Sequence, residues 1–310
     1  MSPIKRPSLG SARARLASAS GHAKTSQTFV LGLGAQKAGT TWLSNHLKSS
    51  PEYENGYRKE YHVFDSRYLK SEEWLRRNIV KLAAQSLEAI LAGETGDAQV
   101  LHRMAMYSNH DIYFEYFRSL LSRSGGVTAT GDLTPDYGML PADRLALIKA
   151  GFAKRDIRTV GVFIMRDPVE RVWSHMRMKA DRSPANAAAG SLDDLRDNHG
   201  RGKYWHRTQY QLTLTAMDSA FSPDEQHVGL YEDLFSSTAQ ADAITKLVGI
   251  RTPPPDTTRV FNSSPRDAQG IPEEIAKVVA ARYAEVYRAV AYLRPDLHVE
   301  RWWPHSKYVL

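Results

Sequence analysis

Lys37 sits between Gly34 and Gly39 and is followed by Thr40 and Thr41, so a mobile cation is set among small and hydroxylated residues. That combination suits an oxyanion. The glycines permit tight turns and close approach of backbone to a ligand. Leu43 and Leu47 carry helical spacing, which places the N–H groups around Gly39 to Trp42 at a helix N-terminus. Such an end offers unsatisfied donors and the positive pole of the helix dipole, so phosphate or sulfate is the expected occupant.

Two familiar phosphate loops fit less well. Gly34 and Gly39 have G-x-x-x-x-G spacing, but Thr40 and Thr41 stand where a Walker A loop has Lys and Ser/Thr, and the lysine has moved inside the loop. Gly32 and Gly34 open a dinucleotide pattern whose third glycine position is Lys37. A third arrangement is therefore expected, with Mg-nucleotide chemistry disfavoured.

A second stretch, Arg166-Asp167-Pro168-Val169-Glu170-Arg171-Val172-Trp173-Ser174, brings a guanidinium and a hydroxyl into position to meet one phosphate. Arginine suits that task because its planar fork donates two parallel hydrogen bonds. The competing reading is an ion pair of Arg166 with Asp167 or Glu170 that closes a helix start. A third stretch, Lys59-Glu60-Tyr61-His62-Val63-Phe64-Asp65, supplies a carboxylate and an imidazole two residues apart, on one side if the segment is extended. Either could take a proton from a hydroxyl, with lysine holding developing charge. Either could equally be a solvated surface group.

Gln36 to Leu43 resembles the 5′-phosphosulfate loop of sulfotransferases, and Arg166 to Ser174 resembles their 3′-phosphate motif. Lys59 to Asp65 is similar to the Lys-Glu segment of the carbohydrate, heparan-type branch. The resemblance spans Thr28 to Arg266 and implies a P-loop-like sulfotransferase fold using 3′-phosphoadenosine 5′-phosphosulfate (PAPS) as donor. It implies that Lys37, Ala38, Gly39, Thr40, Thr41 and Trp42 hold the phosphosulfate, and that Arg166 and Ser174 hold the 3′-phosphate. Glu60 would be the base, with His62 as the alternative, since the phenol and steroid branch uses a histidine there. Lys37 and Lys59 would stabilise charge, and no metal is implied. Gly131 to Tyr137 is a weaker match, with Asp132 and Leu133 replacing the usual Glu and Lys. Phe261 to Arg266 occupies the place of a segment that closes over the donor, which makes Arg266 a further candidate 3′-phosphate ligand.

The elements expected to position these residues alternate. Strands are expected at Phe29–Leu33, Val127–Leu133, Thr159–Met165 and Gln226–Tyr231, and helices over Ser71–Ala92, Ile112–Leu121, Leu145–Phe152, beyond Pro168, over Tyr210–Phe221 and, as one long helix, over Pro272–Leu293. Tyr57 to Asp65 is expected as a short strand or loop at a sheet edge. Residues 181–203 are expected as a mobile loop, a candidate lid over a substrate cleft. The pattern gives an α/β fold, a mostly parallel central sheet flanked by helices, with sites at the strand C-terminal ends.

Composition sets the frame. The chain of 310 residues, 42% hydrophobic and 24% charged, is ordinary for a globular protein, and no apolar run reaches membrane-spanning length. Zero cysteines exclude disulfides and thiolate metal sites and, with no secretory-type leader in view, fit a cytoplasmic location. Residues 1–51 hold Lys5, Arg6, Arg13, Arg15, Lys24, Lys37 and Lys48 and no acid, which accounts for the net charge of +7. Residues 1–27 are expected as a disordered basic tail and 28–310 as one domain. The eleven histidines include no H-x-x-x-H pair. The expected partner is a small-molecule or glycan acceptor with a hydroxyl, with no nucleic acid. Two rivals remain at this level: a nucleotide kinase or NTPase with an atypical loop, and a non-catalytic polyanion-binding protein using the basic tail.

Overall fold

The computed structural model describes residues 27–123, 125–182, 190–255 and 270–310. The basic tail and the Phe261 to Arg266 segment lie outside these residues. Among them, strands β1 (Thr28–Gly32), β2 (Tyr53–Glu54), β3 (Ala129–Asp132), β4 (Arg158–Met165) and β5 (Gln226–Leu230) form one sheet in the order β2-β3-β1-β4-β5, every pairing parallel. Parallel neighbours need crossovers, and helices supply them. Helix α1 (Thr40–Lys48) leads from β1 to β2. Helices α2 (Phe64–Tyr68), α3 (Glu73–Leu91), α4 (Ala98–Ser108) and α5 (His110–Leu121) lie between β2 and β3, and α6 (Ala142–Ala153) between β3 and β4. Helices α7 (Pro168–Arg182), α8 (Leu192–Asn198), α9 (Gly202–His206) and α10 (Tyr210–Ala220) precede β5. After it come α11 (Ala239–Val248), α12 (Glu273–Arg282), α13 (Ala284–Leu293) and α14 (Val299–Trp302).

Side chains along a strand alternate between faces, and both faces here are apolar. Phe29, Leu31 and Leu33 join Phe163 and Met165 in one core, where Phe29 stacks on Phe152 at 3.8 Å and meets the edge of Phe117 at 4.9 Å. Val30, Val160, Val162 and Ile164 join a second core with Leu43 and Leu47 of α1 and Ile244 and Val248 of α11. Central β1 is thus clamped from both sides, and the loop that leaves its C-terminal end starts from a fixed point.

Some elements differ from expectation. Helices α4 and α11 were not anticipated, and the described part of 181–203 carries α8 and α9, where a loop was expected. Ser191 caps α8 by accepting from the Asp194 N–H, a local signal buried in an acidic, Ala-rich stretch. The C-terminal helix is two helices, broken at Tyr283, whose N–H bonds to Ala280. The same apolar face continues across that break, so periodicity could not reveal it. Of the two forms expected for Tyr57 to Asp65, residues 57–63 take the loop, because Asp132 and Tyr137 side chains bind the Tyr61 and Val63 N–H groups in place of a ladder. No helix among the described residues is long and apolar enough to cross a membrane.

Candidate active site

The loop after β1 continues the sheet's bonding past the strand end, with Leu33 N–H donating to Val162 O at 2.8 Å and Ala35 N–H to Ile164 O at 2.6 Å. It then turns through left-handed backbone at Lys37 (φ 70°) and Gly39 (φ 83°) and enters α1 at Thr40. The positive φ favours glycine at 39, and a Cβ there would press on Leu234 Cδ1 at 3.0 Å and Tyr231 Cδ2 at 3.2 Å. Lys37, Thr40 and Thr41 are partly exposed at the mouth of α1, where its first N–H groups point outward. Ala38 and the Trp42 side chain are buried; Trp42 stacks on His46 at 5.2 Å and belongs to the second core. Its side chain is therefore part of the packing beneath the loop.

Lys59, Glu60 and His62 stand beside this loop. Leu133 N–H donates to Lys59 O at 2.9 Å, and the buried Asp132 carboxylate accepts from Tyr61 N–H, Thr134 Oγ1, Tyr113 OH and Tyr137 OH. Asp132 therefore holds the segment rather than the ligand. Lys59 Nζ reaches Thr40 Oγ1 at 3.1 Å and Glu60 Oε1 at 2.8 Å. His62 Nε2 lies 3.4 Å from Glu60 Oε2, and His62 Nδ1 lies 2.6 Å from Asp65 Oδ2. The pairing of Glu60 with His62 is achieved by a left-handed turn at His62 (φ 54°), not by extended backbone.

This chain of charges fixes the protonation of its members. Burial raises the Glu60 carboxyl, but hydrogen bonds from His62 and Lys59 outweigh it and hold it at about 2. Burial lowers the His62 imidazole, but bonds to Asp65 and Glu60 outweigh that and hold it at about 10. At neutral pH the pair is carboxylate and imidazolium.

Arg166 leaves β4 and is 6% exposed. Its Nη1 donates to Lys37 O at 3.2 Å, its Nη2 meets Glu170 Oε2 at 3.0 Å, and its guanidinium covers the Tyr231 ring at 4.7 Å. Its Nε is buried without a partner. The ion-pair reading of Arg166 is thus met through Glu170, and the guanidinium also ties β4 to the loop after β1. Asp167 does not pair with Arg166; it caps α7 by accepting from Val169 N–H and receives Tyr287 OH and His305 N–H. Ser174 is buried on α7 two turns on. Glu232 donates no charge cheaply here: burial pushes it up to about 8, although it accepts from Asp167 N–H.

A further network escaped the sequence. Arg207, the residue that follows α9, bonds Gln36 Oε1 at 3.0 Å and Asp136 Oδ2 at 2.7 Å, and lies 3.6 Å from the fully buried Glu72, which also holds Lys203 at 2.9 Å. Burial raises Asp136 to about 6 against the opposing pull of Arg207. Only Asp65, three residues past His62, had a spacing that could have been noticed; Arg207 and Glu72 come from distant segments. His62, Asp65 and Asp136 place ligand-type atoms within 4.8 Å of one another; His62 pairs with Glu60 and Asp65, and Asp136 with Arg207. Arg266 lies outside the described residues.

The loop after β1, the Lys59 to Asp65 segment and Arg166 all stand at the C-terminal edge of a parallel sheet, where α/β folds place their ligands. Residues 29–254 match the sequence model of the sulfotransferase family, and the chain belongs to that family. The fold is likewise similar to the crystal structure of a sulfotransferase from Alicyclobacillus acidocaldarius, at 16% identity and TM-score 0.53, over 86% of this chain and 94% of that one. A sulfotransferase domain from the curacin biosynthetic pathway aligns at 15% identity and TM-score 0.43, over 86% of this chain and 96% of that one. No curated protein matches in sequence.

Proposed function

We propose that this sulfotransferase moves a sulfuryl group from PAPS to an acceptor hydroxyl, carbohydrate-like or another alcohol, with Glu60 as base. The observation that carries the reading is the continuous contact from Thr40 of the phosphate loop through Lys59 to Glu60. That contact supports a reading in which Glu60 takes the acceptor's proton close to a donor sulfur held by the loop. Lys37, Gly39, Thr40, Thr41 and the Trp42 N–H bind the phosphosulfate; Arg166, with its spare Nε, and Ser174 bind the 3′-phosphate. The acceptor oxygen bonds to sulfur as the bond from sulfur to the bridging phosphate oxygen breaks. The hydroxyl proton passes to Glu60, and the leaving charge stays on the nucleotide, countered by Lys37 and Lys59.

The charge state favours Glu60 over His62 as base. A protonated His62 cannot accept a proton, and its position between Glu60 and Asp65 suits it to orienting Glu60. Calorimetric titration with 3′-phosphoadenosine 5′-phosphate (PAP), 5′-AMP and Mg-ATP tests the donor. Tight binding that needs the 3′-phosphate supports the reading; equal binding of all three, or of none, removes it.

A further inference from the structure

Helix α7 carries Arg171, His175 and Lys179 at i, i+4 and i+8, one face of the helix, and all three converge on Tyr204 of α9. Arg171 Nη2 donates to Tyr204 O at 2.8 Å, the His175 ring meets the Tyr204 ring edge-on at 4.9 Å, and Lys179 Nζ lies 5.3 Å from that ring's centre. Lys179 is exposed, Tyr204 half-buried, and the two groups behind them are buried.

The buried pair is short of partners. Arg171 is 0% exposed and its Nε and Nη1 have none, and His175, at 3%, has an unpartnered Nδ1. An uncompensated buried guanidinium is costly, and structures that keep one commonly bring an anion to it. Besides Arg171, the basic groups Arg207, Lys179 and Lys37 act on His175. Burial, followed by these neighbours, drives its imidazole far down and keeps it neutral. Three residues past Tyr204, Arg207 bonds Gln36 of the loop after β1 at 3.0 Å, so α9 leads from this face to the transfer centre. Ser174 and His175 are consecutive and stand about 100° apart around the helix, so His175 is not a second 3′-phosphate group.

We infer that the acceptor is an anionic alcohol, whose carboxylate, sulfate or phosphate group rests on Lys179 beside Tyr204, backed by His175 and Arg171, while its hydroxyl faces Glu60. This rests on the transfer reaction proposed above and adds the class of acceptor. A neutral sugar or phenol would leave this face unmatched.

The test uses matched probes on the PAP-loaded full chain and in turnover with PAPS: 4-hydroxyphenylacetate against 4-hydroxyphenylacetamide, and glucuronate against glucose. We expect the carboxylate to be favoured tenfold or more in at least one pair. In Lys179→Ala the ratio should fall toward one, and in Lys179→Glu it should invert, with PAP affinity within twofold of the parent in both. The inference is overturned if neither pair shows a carboxylate preference, including by not binding, or if the preference survives Lys179→Glu. It is also overturned if Lys179→Ala weakens PAP itself, which would assign the face to the donor. Failure of the parent protein to bind PAP at all would instead remove the donor reading, and the acceptor class with it.

Discussion

Lys59 Nζ donates to Thr40 Oγ1 at 3.1 Å, tying a loop that follows β2 to the first residue of the helix that follows β1. The two strands are not neighbours; β3 lies between β2 and β1. One ammonium therefore joins the loop after β1 to the carboxylate at 2.8 Å on its other side, and the two halves of the proposed reaction share a cation.

Removing that carboxylate separates chemistry from binding. Glu60→Gln keeps shape and hydrogen-bonding capacity but cannot take the hydroxyl proton, so kcat should fall by about 10²–10⁴-fold. PAP affinity should change little, because the Glu60 contacts run to Lys59 and His62 and not to the donor loop directly. A variant with near-normal turnover in a radiolabelled-sulfate assay would take the base role from Glu60.

The His62 charge predicts a stability profile. Its pKa rises from 6.5 to about 10 on folding because Asp65 and Glu60 outweigh burial. The stabilisation is then fully present below about pH 6.5 and is lost as pH climbs toward 10. Denaturant unfolding across that window should show the parent losing more stability than His62→Asn. Parallel curves for the two proteins would mean that His62 is not held as an imidazolium.

Much of this was legible beforehand, for physical reasons. Strands β1 and β4 are buried on both faces and so read as unbroken apolar runs, and the glycines and threonines after β1 carry their own turn and helix-start chemistry. Glu60 and His62 were expected on one side only if the segment is extended; they meet across a left-handed turn at His62, a conformation that its residue type does not announce. Arg207 and Glu72 could not be found at all. Their meeting depends on how α9 and the turn before α3 pack, and nothing within a few residues of either records it.

Gly39 gives a prediction about the loop itself. Gly39→Ala forces a side chain into left-handed backbone, about 1–2 kcal/mol of strain, and into contact with Leu234 and Tyr231. Thermal unfolding should drop by several degrees, at about 2–4 °C per kcal/mol for a chain of this size or somewhat less. PAP affinity should fall with it, since the N–H groups around Gly39 must swing away. Stability lost with affinity retained would place the donor elsewhere.

Arg166 decides between its two partners. If its main service is the Glu170 ion pair, Arg166→Lys should lower stability slightly and leave nucleotides alone, because lysine can also meet a carboxylate. If the guanidinium instead spans the Lys37 carbonyl and a 3′-phosphate, lysine loses the fork that makes both contacts possible. A charged hydrogen bond is worth about 1.5–3 kcal/mol, so PAP binding should weaken about ten- to a hundredfold. 5′-AMP, which lacks the 3′-phosphate, should bind as before. Glu170→Gln completes the comparison: freeing Nη2 from its carboxylate should leave PAP affinity equal or tighter. Calorimetry on both variants with both nucleotides reads the answer, and a loss shared equally by PAP and 5′-AMP would assign Arg166 to the loop's architecture rather than to the phosphate.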